Sequence, residues 1–259
     1  MDVFHDQMHR EVILEHPPVR IISLVPSQTE LLFSLGLDNQ VIGITKFCIH
    51  PETWYRSKTR VGGTKKLNFE IIRSLKPDLI IANKEENDQE QITQLMQEYP
   101  VWLSDIRNLE DATEMIAGIG QLTGRQGKAE ELISGIQHAF AQLPLAGTGE
   151  SAAYFIWRNP YMVAGSGTFI HEMLHKCGLK NVFEQARYPV IGPEELRRAA
   201  PELILLSSEP YPFKEKHVAE LKRICPRSRI LIVDGELFSW YGSRLLEAPP
   251  YFQRLFFAK

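Results

Sequence analysis

What this 259-residue sequence lacks narrows it first. It has only three cysteines, Cys48, Cys177 and Cys225, far apart and without a Cys-x-x-Cys pair. An odd number cannot close a full set of disulfides, so reduced thiols are expected. The net charge is −3 with no long run of one sign, which argues against a nucleic-acid footprint or a membrane-surface helix. Its apolar stretches are strand-sized, well below the length of a membrane span. Met1–Pro18 lacks the basic start and apolar run of a signal peptide. The expected location is therefore cytoplasmic, or extracytoplasmic if the N-terminus has been trimmed. No nucleophile-base arrangement, glycine-rich phosphate loop or other catalytic motif is found, and the chain reads as a binding protein rather than an enzyme.

What is present is an ordinary globular composition, 44% hydrophobic and 24% charged, carrying an internal echo. Glu70–Glu85 and Glu194–Glu209 share one layout: a glutamate, a short helical stretch, a proline (Pro77 or Pro201), an acid, an apolar run and a second glutamate. Proline discourages helix continuation at such a join. The runs Leu79–Ala82 and Leu203–Leu206 have the continuous apolar character of strands buried on both faces. Strands are also expected at Arg20–Leu24, Val41–Thr45, Val101–Leu103, Ala152–Trp157 and Arg229–Val233. Helices are expected from Pro26 to Leu35, with Ser27 and Glu30 as a capping box and Gly36 as terminator, and at Glu90–Glu98 and Thr168–Gly178. Strand-helix alternation stops at Leu109–Leu122, where a helix is followed by the Thr123-Gly124 break. A longer helix over Arg125–Leu143 comes next, with apolar residues at helical spacing and a length of roughly 28 Å. Pro144–Glu150 reads as a loop. The fold class is α/β: two Rossmann-like lobes with mostly parallel sheets joined by one long backbone helix. The N-terminal lobe covers 1–108, the linking helices 109–143 (the backbone helix 125–143) and the C-terminal lobe 144–259.

Ligands of parallel sheets collect beyond the carboxyl ends of the strands. Five loops meet that condition. Lys46–His50 offers Phe47, Cys48 and His50. Asn83–Glu86 offers Asn83, Glu85 and Glu86. Trp157–Tyr161 offers Trp157, Arg158 and Tyr161. Ser208–Phe213 offers Glu209, Tyr211 and Phe213, and Phe238–Arg244 offers Trp240, Tyr241 and Arg244. Tyr188, before Pro189, adds a further contact. Aromatic side chains with polar handles suit a large flat ligand. Arg158 and Arg244 are placed to pair either with ligand oxygens or with Glu85, Glu86 or Glu209. Glu85 and Glu209 also raise an acid/base reading, which no accompanying motif supports. Cys48, His50, Glu85 and Glu209 are of metal-ligand type, yet no close His-x-x-x-His pair lies on these loops, and no metal site is assigned. His171 and His175 sit on a helix away from the strand ends and read as surface or packing residues.

Arg20-Ile-Ile-Ser-Leu-Val-Pro-Ser-Gln-Thr-Glu-Leu-Leu32, Lys76-Pro-Asp-Leu-Ile80, the long helix and Gly167-Thr-Phe-Ile with Cys177-Gly-Leu-Lys-Asn-Val-Phe183 together resemble the substrate-binding proteins of iron-chelate (iron-siderophore) and cobalamin ABC importers. These are the class III binding proteins, or helical-backbone metal-receptor superfamily. Phe238-Ser-Trp-Tyr-Gly-Ser-Arg244 is most similar to the cobalamin-binding branch. The resemblance implies a solute-binding protein that holds a corrinoid or similar metal chelate between two lobes and delivers it to an ABC permease. It implies no intrinsic cofactor, no nucleic-acid partner and a monomeric state. It also implies that Glu70 and Glu194 dock on the permease, although a glutamate in a first helical turn complements the helix dipole without any partner. Where cobalamin binders place tryptophans, this chain has Thr64, Asn83 and Tyr188, which leaves another large chelate or tetrapyrrole-like ligand open. A cytosolic carrier or sensor of such a ligand, and an enzyme using the cleft carboxylates, are the competing readings.

Overall fold

Alternating apolar strands and short helices set the course of the chain, which the computed structural model describes over residues 1–144 and 149–257. The chain packs into two compact units. The first comprises Met1–Ile106, Glu110–Gly135 and Tyr241–Arg244; the second comprises Arg107–Leu109, Ile136–Trp240 and Leu245–Lys259. Most of the loop expected over Pro144–Glu150 lies outside the described residues.

The first unit opens with a hairpin of β1 (Asp2–His5) and β2 (Glu11–Leu14). It continues through β3 (Ile21–Ser23), α1 (Pro26–Ser34), β4 (Val41–Ile44), α2 (Glu52–Ser57), β5 (Thr59–Arg60), β6 (Gly62–Gly63), β7 (Lys66–Leu67), α3 (Phe69–Leu75), β8 (Leu79–Asn83), α4 (Gln89–Leu95) and β9 (Val101–Ser104). Its main sheet has the order β5-β4-β3-β8-β9, and every pairing is parallel. Every residue of β8 is buried, as a strand covered on both faces requires. Ile80 and Ala82 join Ile22, Ile72, Ile92 and Val101 in one core. The edge strand β9 is covered by the hairpin turn: Gln7 N–H donates to Leu103 O at 3.2 Å, and Leu103 N–H to the Asp6 carboxylate at 3.3 Å. That cover removes an open edge from solvent.

Helix α1 corrects one expectation. Its N-cap is Val25, with Pro26 in the first turn and no side-chain cap. Ser27 lies inside the helix and is buried, and Glu30 turns to Arg244 instead of back to the cap. Proline at the first helical position explains the earlier start, because its fixed φ suits that site and its missing N–H is no loss there. Gly36 ends the helix with φ +77° as expected.

Two helices follow β9. The first, α5, covers Leu109–Leu122, the expected residues, and ends in a Schellman turn: Arg125 N–H donates to Gly120 O (2.7 Å) and Gly124, at φ +66°, donates to Gln121 O. The backbone helix α6 covers Gln126–Ala141, shorter than the expected 125–143. Gln142 and Leu143 donate three residues back, so the last turn tightens beyond the α-helix proper. The division of the chain falls between Gly135 and Ile136, so α6 contributes to both units.

The second unit contains β10 (Ser151–Trp157), β11 (Tyr161–Val163), α7 (Phe169–Lys176), β12 (Lys180–Asn181), β13 (Val190–Ile191), α8 (Pro193–Ala199), β14 (Leu203–Ser207), α9 (Glu215–Ile224), β15 (Arg229–Val233), α10 (Glu236–Ser239) and α11 (Ala248–Phe252). Its sheet runs β13-β11-β10-β14-β15, with β12 also on β10. β10, β12, β14 and β15 pair in parallel, and β11 and β13 are antiparallel additions. Phe155, Ile204, Leu206, Leu196 and Leu221 lie in its core.

The echo in sequence is an echo in backbone. Helices α3 and α8 have seven residues each and end on Lys76 and Ala200, both left-handed at φ 46° and 42°. Neither is glycine, and each leads directly into the proline before β8 or β14. The next strands are five residues long and wholly buried. Each then ends on a polar side chain that closes a turn. Asn83 Oδ1 accepts the N–H of Glu85 at 2.8 Å, and Ser207 Oγ accepts the N–H of Glu209 at 3.3 Å.

Candidate solute-binding loops

The loops at the carboxyl ends of the strands hold the candidate side chains, and each unit arranges its own set. In the first unit, Phe47 is exposed and Lys46 Nζ lies 5.1 Å from the centre of its ring. Cys48, two residues from half-buried His50, is sealed in the interior. Thr29 Oγ1 donates to its sulfur at 3.1 Å, Thr45 Oγ1 lies at the same distance, and burial raises the thiol's proton affinity. This cysteine is a core residue and presents nothing to a solute. Asn83 is likewise withdrawn. Its carbonyl accepts from Glu85 and Glu86, and its amide donates to Ser104 Oγ at 2.9 Å. It builds the turn that aims Glu85 and Glu86, both half-buried. Lys65 Nζ donates to Glu85 O at 2.6 Å, and Lys84 pairs with Asp105 at 2.8 Å.

Tyr241–Arg244 groups with this first unit. The Tyr241 hydroxyl donates to the Glu86 carboxylate. Arg244 sets Nε and Nη2 on the two oxygens of Glu30, at 3.0 and 2.5 Å, with side chains only 13% and 18% exposed. Between them, Gly242 passes so near α1 that a Cβ there would sit 2.8 Å from Ser27 O.

In the second unit, Trp157 is 40% exposed and meets Tyr211 edge-on, ring centres 5.6 Å apart. Tyr211 meets Phe213 at 4.8 Å, and Phe213 is buried in the core rather than offered to solvent. Behind Tyr211, the Lys214 N–H donates to His217 Nδ1 at 2.8 Å, which leaves the proton on Nε2, 3.2 Å from the Tyr211 oxygen. Burial, with Lys216 and Arg158 nearby, holds this imidazole below its usual pKa. Within its unit Arg158 pairs with Glu220 and not with Glu209. Its Nε and Nη2 donate to Glu220 at 3.0 and 2.8 Å, and the Tyr161 hydroxyl donates to the other oxygen of Glu220. Burial alone would raise the Glu220 pKa, but Tyr161 and Arg158 outweigh it and lower the value. Glu209 accepts from Ser239 Oγ at 3.0 Å and Trp240 Nε1 at 2.9 Å. Burial, with Glu236 and Asp234 close, keeps its carboxyl above the usual range. Tyr188 is half-buried and Trp240 buried.

Glu30, His217, Glu220 and Ser239 were missed as functional candidates. Glu30 carried a signal, but one that read as a helix cap. Glu220 carried none beyond its place on an amphipathic helix. Among the described residues, no three His, Cys, Asp or Glu side chains converge to hold a metal ion. His171 and His175 lie tilted against each other on α7 with ring centres 4.4 Å apart, and His171 Nδ1 lies 3.0 Å from the Asn181 amide nitrogen. That amide nitrogen also donates to Ala164 O, so it is a donor toward His171.

Two α/β units with mostly parallel sheets and polar and aromatic loops at their strand ends are the architecture of a solute-binding protein, and comparison with known proteins shows the family. The family model described as "Periplasmic binding protein" matches residues 21–223. The chain belongs to that family. It is 26% identical over 239 residues to a vitamin B12-binding protein of Pectobacterium carotovorum, covering 89% of this chain and 86% of that one. It is also 26% identical over 260 residues to the uncharacterized ABC transporter substrate-binding lipoprotein YvrC of Bacillus subtilis, covering 93% and 81%. Among solved structures, the periplasmic vitamin B12-binding protein BtuF of Vibrio cholerae superposes with a TM-score of 0.77 at 22% identity, over 91% and 95% of the two chains.

The protein is therefore a solute-binding protein of this family rather than an enzyme, and the family's small molecules are bound as solutes rather than as resident cofactors. The expectation of a cytoplasmic protein is overturned. The family is described as periplasmic, and the relatives are periplasmic proteins or a lipoprotein. Among the described residues, no helix is long and apolar enough to cross a membrane.

Proposed function

We propose that this protein carries a corrinoid or similar metal chelate to an ABC permease, held on the loops at the carboxyl ends of its strands. The observation that carries the reading is the aromatic ledge of the second unit. Trp157 stands exposed at the end of β10, its edge set against Tyr211, and Tyr211 is braced by Phe213 and His217. A rigid apolar face with polar atoms at its margin suits a broad ring with amide or hydroxyl groups around it. The similarity to vitamin B12-binding relatives supports the same ligand class. Phe47, His50, Glu85 and Glu86 are the candidate contacts on the loops of the first unit and Tyr188 a further one of the second, while the buried Tyr241 and Trp240 hold Glu86 and Glu209 in place. Isothermal titration of the purified protein with cyanocobalamin should give 1:1 binding with quenching of tryptophan fluorescence. No heat and no quenching at 100-fold excess over protein would remove the corrinoid reading.

Coupling to the importer rests on Glu70 and Glu194. Both are exposed in the first turns of the matched helices α3 and α8. Each presents a carboxylate at corresponding positions of the two units, and the pair suits two arginines on a permease. The protein works as a monomer in this reading. Replacing both glutamates with alanine should abolish binding to the cognate permease in detergent while leaving cyanocobalamin binding intact; unchanged permease affinity would refute the assignment.

A further inference from the structure

A neutral imidazole carries one proton on its two ring nitrogens, so whatever fixes one nitrogen fixes the other. In the second unit the backbone fixes His217. It is the third residue of α9, and its Nδ1 accepts the N–H of the N-cap residue Lys214 at 2.8 Å. A nitrogen that accepts carries no proton. Burial, with Lys216 and Arg158 nearby, favours the neutral ring, so the single proton lies on Nε2. Nε2 stands 3.2 Å from the Tyr211 oxygen. The imidazole is therefore the donor and the phenol oxygen the acceptor, which leaves the hydroxyl hydrogen of Tyr211 directed away from the buried ring. Among the described residues, no acceptor takes that hydrogen. The other polar hydrogens of the ledge turn inward. Trp157 Nε1 donates to Asn159 O at 3.2 Å, and the Tyr161 hydroxyl and the Arg158 fork donate to Glu220. Trp157 thus offers an apolar indole face, 40% exposed, beside the half-buried Tyr211.

We propose that Tyr211 determines the polarity of the solute's rim: its hydroxyl donates to an acceptor oxygen, such as an amide or ester carbonyl, on a ring that lies against Trp157, and His217 is the positioning residue that holds it as a donor. A solute that places only an N–H group there sets donor against donor and is rejected. Such a mismatch discriminates more sharply than a missing apolar contact, because polar groups are left unpaired. The inference rests on the reading that this ledge holds the solute, and it deepens that reading by naming what the cargo must present. The residues it uses all belong to the second unit. The position of His217 also supplies a matched pair of variants, because a capping box ordinarily carries glutamine or glutamate there. In His217→Gln the amide oxygen accepts from Lys214 and the amide nitrogen donates to Tyr211, as in the parent. In His217→Glu both oxygens accept, so Tyr211 turns its hydrogen to the carboxylate and offers the solute a lone pair.

The test is titration calorimetry of the full-length protein with cyanocobalamin, a ring with amide carbonyls at its rim. Tyr211→Phe and His217→Glu should each weaken binding about three- to ten-fold, the range one neutral hydrogen bond gives. His217→Gln should stay within about two-fold of the parent. Two-bond nitrogen–proton NMR on histidine-labelled, ligand-free protein should show His217 protonated on Nε2 alone. A proton on Nδ1 overturns the proposal, as does a Tyr211→Phe variant that binds like the parent; the solute reading survives both results. Equal losses in His217→Gln and His217→Glu also overturn it, since the imidazole then matters only for packing. If His217→Glu fails to fold, Tyr211→Phe and His217→Gln still decide. If the parent does not bind cyanocobalamin, the corrinoid reading falls, and the same variants are titrated with haemin dimethyl ester, whose rim bears ester carbonyls. The same order of affinities then upholds the donor role of Tyr211, a different order overturns it, and no binding of either ring overturns both readings.

Discussion

Two helices meet at Gly120, and the consequence is quantitative. Gly120 lies on α5 and is buried, and a Cβ placed there would sit 2.5 Å from the Cβ of Ala129 on α6. Helix propensity alone favours Gly120→Ala by ~1 kcal/mol. Packing opposes it. The opposing atom is a Cβ, which moves only with its backbone, so the helices must separate by about an ångström. Overpacking of that kind costs about 1–3 kcal/mol. Because the opposing Cβ is fixed to its backbone, the cost lies in the upper part of that range, about 2–3 kcal/mol, and the net loss is about 1–2 kcal/mol. Gly127, on the first turn of α6, meets nothing within 4 Å. Gly127→Ala should therefore stabilise by roughly 0.5 kcal/mol, since only propensity acts at that frayed position. The decisive experiment is a double-mutant cycle in urea followed by far-UV circular dichroism. Ala129→Gly removes the clashing methyl, so Gly120→Ala with Ala129→Gly should be more stable than the sum of the single changes by about 1–2 kcal/mol. A Gly120→Ala variant as stable as the parent, or additive single changes, would refute the close crossing of these helices.

Glu209→Gln should raise thermal stability at pH 8, because the amide oxygen still accepts from Ser239 and Trp240 while the desolvated charge is gone. The sign follows from the raised folded-state pKa of Glu209. The folded state binds the proton more tightly than the unfolded one, so the parent gains stability as pH falls from that raised value toward the ordinary carboxylate range. The advantage of glutamine should shrink over the same interval, and a difference independent of pH from 8 to 4.5 would contradict the assignment. The Arg244–Glu30 pair joins residues 214 positions apart within one unit. An alanine double-mutant cycle on it should give a coupling of about 1–2 kcal/mol, above that of an exposed pair; a value near zero would mean the bidentate geometry is not held in solution.

Much of this fold was legible because burial on both faces leaves no alternation to misread. β8 and β14 are continuous apolar runs bounded by proline and a polar turn residue, and both read as strands within a residue of their ends. The same holds for α5, whose apolar spacing and Thr123-Gly124 stop are local signals. The candidate loops were legible for a related reason: they follow strands, and strand ends are visible. Which side chains face outward from those loops was not. Cys48 and Asn83 have polar or metal-binding chemistry, yet both turn inward, because two threonines close around the thiol and two backbone N–H groups after β8 need an acceptor. The partners of the arginines were invisible for another reason. Arg158 and Glu220 are 62 residues apart, and Arg244 and Glu30 214. Only the folded chain selects these partners from among many carboxylates, so periodicity and local motifs are silent on them. Yet that choice sets the electrostatic character of the loops. The same two arginines, left unfilled, would make these loops a receptor for carboxylates. Bound to Glu220 and to Glu30, each arginine instead stiffens the loops of its own unit.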